Sequence, residues 1–275
     1  MVEGLLDEVA RLSVARAEAA LAQRSRSEWR QRATDAAPPR PLALGGFDLI
    51  AECKLRAPSV GVLSTAGDPT AVVCEQARAY ARAGAAAISV LTEPSRFDGA
   101  LSHLRAVCRT VQTPVMRKDF LVDPVQLDEA REAGASGALL ITRMLSDATL
   151  TEMVDVAREL GLFALIECFD AEDVQRTAAV LGRTATGEVL VGVNTRDLRT
   201  LEVVGSRLGA LAPALSSLPE GVRWVAESGM RTPEDVARAA GHGYRLALVG
   251  SALMQSDDPR QLAQAMVRAG TNACS

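Results

Sequence analysis

The segment Pro114-Val115-Met116-Arg117-Lys118-Asp119-Phe120 passes from an apolar run into three charged residues and an aromatic residue. Such a run is typical of a buried strand whose last residues reach a functional surface. Nearly all basic residues of the chain are arginines, and lysine occurs only at Lys54 and Lys118, each at the end of an apolar run. Because an ammonium can release its proton at accessible pH and a guanidinium cannot, these two positions indicate acid–base chemistry. The plainer interpretation is two solvated surface lysines.

The segment is part of a strand–loop–helix unit that recurs along the chain. Predicted strands occupy Phe47–Lys54, Ala86–Leu91, Pro114–Lys118, Ala138–Ile141, Leu162–Glu167, Val189–Asn194, Val222–Glu227 and Leu246–Gly250. Helix-start signals follow several of them, at Asp68-Pro69, Asp123-Pro124, Ser146 and Thr232-Pro233. An open doubly wound sheet would give similar local signals. The count of eight units therefore decides the prediction, which is an α/β fold of the (β/α)8 TIM-barrel type.

A helical pattern precedes the first strand, from Val2 to about Arg32, and a proline-rich break follows at residues 36–41. Its predicted apolar stripe consists of Val2, Leu5, Leu6, Val9, Leu12, Ala15 and Ala19. We expect one barrel domain over residues 1–275, of which residues 1–45 are an N-terminal helical extension and linker. The extension is expected to pack on the barrel and to help close its pocket.

Composition excludes several classes of partner. The net charge of −4, the pI near 5.4 and the lack of a basic stripe argue against a nucleic-acid partner. Five cysteines without C-x-x-C spacing predict free thiols in a reducing compartment, and two histidines in unrelated segments predict no metal site. No signal-peptide pattern and no apolar run of membrane-spanning length occur, so we expect a soluble, cytoplasmic protein without a membrane partner.

Polar side chains collect at the predicted C-terminal ends of the strands, where barrels of this type build their active sites. The candidates are Glu52, Lys54, Lys118, Glu167, Asn194, Arg196 and Glu227. Glu52 and Lys54 are two residues apart and so share one face of a strand. Any single member could be a solvated surface residue. The whole set, at five of eight strand ends, instead predicts one shared pocket.

The ends of the last two predicted strands have a different composition. Ser228-Gly229 follows the seventh strand and Gly250-Ser251 follows the eighth. Barrels commonly bind phosphate at these two positions, through backbone N–H groups that glycine leaves accessible. Each pair alone could be a tight turn, but their consecutive placement predicts a phosphorylated substrate.

Several of these segments resemble one known family, indole-3-glycerol phosphate synthase, over nearly the whole chain. The resemblance is carried by Leu49-Ile50-Ala51-Glu52-Cys53-Lys54 with Pro58-Ser59 and Gly61, by residues 114–120, Leu165-Ile166-Glu167, Gly192-Val193-Asn194-Thr195-Arg196-Asp197-Leu198 and Glu227-Ser228-Gly229. The helical extension is similar to that of this family too. Phosphoribosylanthranilate isomerases, which are related, lack it.

The resemblance implies a ring closure in which 1-(2-carboxyphenylamino)-1-deoxyribulose 5-phosphate loses carbon dioxide and water to give indole-3-glycerol phosphate. Lys118 would be the general acid and Glu167 the general base or proton relay. Residues that would orient the substrate and stabilise charge are Lys54, Glu52, Asn194, Arg196 and Glu227. Further substrate-binding residues would be Ser59 and Phe120, with Ser228, Gly229, Gly250 and Ser251 on the phosphate, assisted by Lys54. No cofactor is implied, and other tryptophan-pathway enzymes are possible partners.

The chain also departs from the family pattern. The usual Lys-Arg-Ala-Ser-Pro-Ser is Lys-Leu-Arg-Ala-Pro-Ser at residues 54–59, the fifth strand ends Ile166-Glu167-Cys168-Phe169 instead of Val-Glu-Val-His, and Ala226 replaces a common serine. A paralogue of a specialised pathway is therefore an alternative. So are a Schiff-base phosphosugar aldolase and a non-catalytic paralogue that serves as a binding module. Retention of Lys54, Lys118 and Glu167 favours an active enzyme, since buried charges cost stability unless paired.

Overall fold

A computed structural model describes residues 5–57, 61–62, 67–182, 188–197 and 200–274 of the chain. Eight strands form its sheet: β1 Asp48–Cys53, β2 Ala87–Leu91, β3 Val115–Lys118, β4 Gly137–Ile141, β5 Phe163–Cys168, β6 Val189–Asn194, β7 Arg223–Glu227 and β8 Leu246–Val249. All pair in parallel in sequence order, and β8 pairs with β1 to close the barrel. The TIM-barrel prediction is confirmed, and every predicted strand end lies within one residue of the observed end.

Helices alternate with these strands. They are α1 Leu5–Gln23, α2 Arg26–Asp35, α3 Pro69–Arg82, α4 Pro94–Phe97, α5 Leu101–Thr110, α6 Val125–Glu132, α7 Asp147–Glu159, α8 Ala171–Leu181, α9 Arg207–Leu215, α10 Pro233–Gly241, α11 Ser251–Gln255 and α12 Pro259–Cys274, with a 3-10 turn at Thr142–Met144. The predicted caps are confirmed: Asp68, Ser146 and Thr232 each accept a hydrogen bond from a backbone N–H in the first turn. A short antiparallel pair, Arg56–Ala57 with Gly61–Val62, lies in the loop after β1.

The barrel interior is filled by apolar side chains. The interior cluster includes Ile50, Ala87, Met116, Leu139, Phe163, Leu165, Leu190, Val225, Leu246 and Leu248. Two further apolar clusters lie between the strands and the surrounding helices. Both faces of the strands are thus buried, which explains why they read as continuous apolar runs. A pocket on this barrel must lie at one of its ends.

The N-terminal extension is helical as predicted, but it forms two helices. The chain breaks after α1 because Ser25 caps α2: its hydroxyl accepts from the Glu28 backbone N–H at 3.3 Å, and the Glu28 carboxylate accepts from the Ser25 backbone N–H at 2.8 Å. The Trp29 indole then donates to the Ala20 carbonyl across the break, at 2.9 Å. The division of the chain into a 1–45 extension and a single barrel domain stays a prediction.

The predicted apolar stripe of α1 is wrong in most of its described members. Leu12 is 38% exposed, and Ala15 and Ala19 are exposed as well. The buried face keeps Val9 of the predicted stripe and otherwise carries Ser13, Ala17 and Ala20. The reason is chemical, because α1 faces polar groups on the barrel as well as apolar ones, and a polarity pattern cannot identify a buried serine.

These polar groups lie directly after β3. Ser13 donates its hydroxyl hydrogen to the Phe120 carbonyl, and Arg16 pairs with Asp119 at 2.7 Å. Asp119 also accepts from Thr92 at 2.7 Å and from Arg117 at 3.2 Å. The segment that follows Lys118 is therefore held from both the extension and the barrel.

The packing of Trp29, on α2, against the buried face of α1 gives a stability test. Trp29→Ala should lower the free energy of unfolding by about 3–5 kcal/mol, the usual cost of removing a large buried aromatic side chain. Trp29 is 5% exposed and packs with Ala17, Ala20 and Val125. Leu12→Ala, from the predicted stripe, should change stability by less than about 0.5 kcal/mol. Urea unfolding of both variants measures this, and a larger effect at Leu12 than at Trp29 would contradict the observed packing.

Candidate active site

One cavity of about 1280 Å³ opens at the C-terminal end of the barrel strands. It is lined by nearly all residues that the sequence analysis selected: Glu52, Lys54, Lys118, Phe120, Glu167, Asn194, Arg196, Glu227, Ser228, Gly229, Gly250 and Ser251. Ser59 lies outside the described residues. The strand register explains the convergence, because Lys118 and Glu227 are the last paired residues of their strands and Glu167 is the last but one.

Lys118 lies at the centre of this cavity among three carboxylates. Its Nζ is 3.4 Å from Glu227 Oε2, 3.6 Å from Glu167 Oε2 and 3.8 Å from Glu52 Oε2. Burial by itself would lower the pKa of Lys118, but the attraction of Glu227, Glu167 and Glu52 outweighs burial and raises it. Lys118 is consequently held as an ammonium, ready to donate a proton.

Lys54 and Glu52 form the closest ion pair of the site. Lys54 Nζ donates to Glu52 Oε1 at 2.6 Å. Burial would raise the pKa of Glu52, but the positive charges of Lys54 and Lys118 hold it below its usual value. Gly250 on the neighbouring strand end makes room for this pair, since a Cβ there would lie 2.6 Å from Glu52 Oε1 and 3.0 Å from Lys54 Nζ.

The pKa of Glu227 is shifted in the opposite direction from that of Glu52. It is fully buried, and burial together with the negative charge of Glu167 raises its pKa well above the usual value, although Lys118 acts in the other direction. A hydrogen bond to Glu167 raises it further. These shifts favour the protonated form of Glu227, whose carboxyl group can then donate a hydrogen bond to Glu167. A Cβ at Gly192 would meet Glu227 Oε1 at 2.0 Å, so this glycine is what admits the Glu227 side chain.

Asn194 and Arg196 shape the wall of the cavity after β6. The Asn194 amide oxygen accepts from the Arg196 backbone N–H at 2.9 Å, which turns the chain at the strand end. The Arg196 guanidinium donates to the Leu201 carbonyl at 2.6 Å and so holds the following loop, which contributes Leu201 and Val203 to the cavity. The two side chains share a site but not a strand, because β6 ends at Asn194.

Ser228 and Gly229 both have left-handed backbone conformations, with φ of 65° and 74°. A serine there costs conformational energy, and such residues concentrate at functional turns. Thr195 supports the turn by donating to the Glu227 and Ser228 carbonyls, both at 3.1 Å. Glycine is required at 229 by sterics as well as by φ, because a Cβ would lie 2.6 Å from Val203 Cγ1.

Sequence reasoning missed several residues of the cavity, and two of them, Phe97 and Arg231, bear on binding. Phe97 on α4 faces Phe120 with ring centroids 6.3 Å apart, and the two rings form an apolar wall. Arg231 adds a guanidinium beyond the Ser228-Gly229 turn. The rarity of aromatic residues, 3% of the chain, was a usable signal for Phe97. Arg231 carried none, since arginine is the common basic residue of this chain.

The departures from the family pattern fall mostly outside the cavity. Cys168, Phe169 and Ala226 are buried but do not line it, and Cys168 Sγ lies 3.4 Å from Thr177 Oγ1 on the outer side of the barrel. The shifted Arg56 pairs with Asp98 at 2.8 Å, next to Phe97. This pair joins the loop after β1 to α4. The side chain of Ala57 lies outside the described part of the chain.

The five cysteines are free thiols. Among the residues with described positions, no group of three or more His, Cys, Asp or Glu is arranged to hold a metal ion. No described helix combines the length and apolarity needed to cross a membrane.

Comparison with known proteins identifies close relatives. The family model for indole-3-glycerol phosphate synthase matches residues 8–266. An indole-3-glycerol phosphate synthase of Nocardioides sp. is 46% identical over 253 residues, which cover 90% of this chain and 91% of the relative. The enzyme of that name from Mycobacterium leprae is 42% identical over 247 residues, 88% of this chain and 86% of the relative.

Solved structures that match are more distant and support the fold alone. Thiamine phosphate pyrophosphorylase from Pyrococcus furiosus aligns with a TM-score of 0.59 at 14% identity, over 84% of this chain and 98% of that one. 3-Hexulose-6-phosphate synthase from Salmonella typhimurium aligns with a TM-score of 0.61 at 14% identity, over 82% and 100%.

The raised pKa of Glu227 predicts a pH-dependent stability. Folding must protonate a group that is ionised in the unfolded chain at neutral pH, so the stabilisation by neutral Glu227 is complete below its unfolded pKa and is lost as pH rises toward its folded pKa. Glu227→Gln removes this proton uptake. Its free energy of unfolding relative to the unsubstituted protein should therefore increase above pH 5, by at most about 1.4 kcal/mol per pH unit.

Denaturant unfolding between pH 5 and pH 8 measures this difference. Glu220→Gln serves as the control, because Glu220 is exposed at the opposite end of the barrel from the cavity. A difference between Glu227→Gln and the unsubstituted protein that does not vary with pH would show that Glu227 is ionised in the folded state.

Proposed function

The chain belongs to the indole-3-glycerol phosphate synthase family, and we propose that the residues around Lys118 carry out this family's reaction. The chain is a carboxy-lyase of tryptophan biosynthesis. It converts 1-(2-carboxyphenylamino)-1-deoxyribulose 5-phosphate into indole-3-glycerol phosphate, carbon dioxide and water. The observation that carries our assignment is the position of Lys118 Nζ within 3.8 Å of three carboxylates in the cavity.

The reaction requires a proton donor at two stages. The ring carbon that bears the carboxylate forms a bond to the ketone carbon, and the ketone oxygen takes up a proton. Carbon dioxide then leaves, and its bonding electrons restore the aromatic ring. The new hydroxyl finally departs as water after a second protonation. We assign both protonations to Lys118, whose carboxylate neighbours keep it charged until an oxygen atom takes its proton.

Glu167 is assigned as the general base or proton relay of the dehydration step. It lies 3.6 Å from Lys118 and shares a hydrogen bond with Glu227, which holds a proton of its own. A proton that Glu167 takes from the substrate can therefore pass to Lys118 without leaving the buried cluster. This connection returns one of the two protons to Lys118 after dehydration. Solvent must supply the other, because loss of a carboxylate as carbon dioxide consumes one proton overall.

The remaining polar residues are assigned to binding. Asn194, Arg196 and Glu52 orient the substrate and stabilise its charges. The phosphate is assigned to the turns that contain Ser228, Gly229, Gly250 and Ser251, with Lys54 assisting. Lys54 Nζ lies 3.0 Å from the position of a Cβ on Gly250, which supports its approach to a phosphate at that turn. A bulkier residue at position 250 would first displace the Lys54–Glu52 pair, so it would not test phosphate binding alone.

The protonation of Lys118 argues against the aldolase alternative. A Schiff-base mechanism needs a neutral amine as the nucleophile, and such lysines are activated by a lowered pKa. Three carboxylates act here in the opposite direction. Contacts with other tryptophan-pathway enzymes, a cytoplasmic location and a place in a specialised pathway stay predictions.

The helical extension is proposed to act on the pocket through Asp119 and Phe120. Ser13 and Arg16 of α1 bind these two residues, which directly follow Lys118, and Phe120 lines the cavity. The extension thus supports the wall of the site where the aromatic part of the substrate would pack. Deleting residues 1–35 should consequently lower stability and raise KM.

Lys118→Arg should nearly abolish turnover although it preserves the charge. A guanidinium, with a pKa above about 12, cannot release its proton usefully. Proton transfer by a positioned side chain contributes about 10²–10⁴-fold, so kcat should fall by at least about 10²-fold while KM changes modestly. Steady-state kinetics by indole fluorescence measures both constants.

Lys54→Arg is the matched control for this substitution. It replaces the only other lysine and should mainly raise KM if Lys54 positions the substrate. If Lys118→Arg keeps kcat within about tenfold of the unsubstituted enzyme, below the range of general acid catalysis, the acid is a different residue.

Arg16→Met should raise KM by about 3–10-fold, because a small misplacement of binding groups is costly. Arg30→Met is the comparison: it removes another ion pair between the extension and the barrel, Arg30 to Asp128 at 2.6 Å, but Asp128 does not line the cavity. Kinetics well below the melting temperature of both variants separates positioning from stability. Equal changes in KM would show that the extension acts on stability only.

A further inference from the structure

Only some of the cationic side chains that line the described cavity have carboxylate partners. Four cationic side chains of the described chain line it: Lys54, Lys118, Arg196 and Arg231. The two lysines already have carboxylate partners in Glu52, Glu167 and Glu227. The substrate brings a phosphate and a carboxylate. Among the described residues, the lining cations that can join Lys54 in neutralising these groups, and that have no carboxylate within ion-pair distance, are the two arginines.

Among the described contacts, the guanidinium of Arg231 has fewer partners than that of Arg196, which donates to the Leu201 carbonyl. Its backbone N–H donates to Asp235 Oδ2 at 3.0 Å, which fixes the main chain at the start of α10. The Asp235 carboxylate meanwhile pairs with Arg238, so it does not neutralise Arg231. Within the described ranges the Arg231 guanidinium has no carboxylate within ion-pair distance. An arginine whose backbone is fixed and whose head group is unpaired beside a cavity is poised to bind an anion.

The two arginines also repel each other. Burial lowers the pKa of Arg196, and the positive charge of Arg231 lowers it further, although Glu52 acts in the other direction. Repulsion between two cations that face one cavity is relieved when an anion binds there.

The position of Arg231 selects which anion it meets. It follows Ser228 and Gly229 by three and two residues and lines the cavity together with Gly250 and Ser251. These are the turns assigned to the phosphate above. Arg196 lines the same cavity, but its guanidinium is tied to the Leu201 carbonyl.

We propose that Arg231 is a phosphate-binding residue of this enzyme, whose guanidinium covers the substrate phosphate at the turns after β7 and β8. The inference rests on the proposed function, because it takes the phosphate position from it. It adds a specificity determinant that acts on binding and not on the chemical steps. A phosphate monoester dianion, and not the ring carboxylate, is the group that it recognises.

The test compares Arg231→Met with Arg238→Met. Both residues are exposed arginines at α10, but Arg238 does not line the cavity. Calorimetric titration with inorganic phosphate measures binding without turnover, and competition kinetics gives KM and the inhibition constant. Arg231→Met should weaken phosphate binding and raise KM by about 5–20-fold, the loss of one solvent-accessible charge-assisted contact. Its kcat should stay within about threefold, and Arg238→Met should change neither constant.

A second probe, anthranilate, separates the two anions of the substrate. If Arg231→Met weakens anthranilate binding and leaves phosphate binding unchanged, Arg231 faces the carboxylate and the proposal is overturned. Unchanged binding of both probes overturns it as well. Arg231→Lys should restore part of the phosphate affinity, since it keeps the charge but loses the guanidinium fork. Failure of the proposed function would appear separately, as absent turnover by an unsubstituted enzyme that still binds phosphate.

Discussion

The interaction on which the rest of this structure depends is the attraction between Lys118 and three buried carboxylates. A buried ammonium or carboxylate alone would be strongly unfavourable, and neither would remain charged. Lys118 within 3.8 Å of Glu52, Glu167 and Glu227 compensates for the burial of all four groups. Burial and the negative charge of Glu167 raise the pKa of Glu227 well above its usual value and so favour its protonated form. The cluster is therefore a store of exchangeable protons as well as an ion-pair network.

The barrel makes such a cluster possible because its strands are parallel and its interior is packed. Parallel strands bring their C-terminal ends to one rim, and the apolar layers below exclude water from the carboxylates. Two glycines create the space that remains. Gly192 admits the side chain of Glu227, and Gly250 admits the Lys54–Glu52 pair. The shape of the active site thus depends on these two glycines as much as on the charged residues.

The helical extension connects to this cluster through residues that directly follow the acid. Asp119 receives hydrogen bonds from Arg16, Thr92 and Arg117, and Phe120 is held by Ser13. A feature outside the barrel therefore restrains the backbone next to Lys118.

The sequence by itself determined the barrel, because eight apolar runs with helix caps between them leave few other folds, and it determined the catalytic candidates through two lysines at strand ends. These are properties of local pattern and spacing. Only the tertiary structure decided which face of α1 is buried. Ser13 is buried because it donates a hydrogen bond to the barrel, whereas the apolar Leu12 is exposed. The tertiary structure alone likewise shows that Phe97 and Arg231 line the cavity. The raised pKa of Glu227 also depends on residues far apart in the chain, because its burial and its distances to other charges are set only when the strand ends meet.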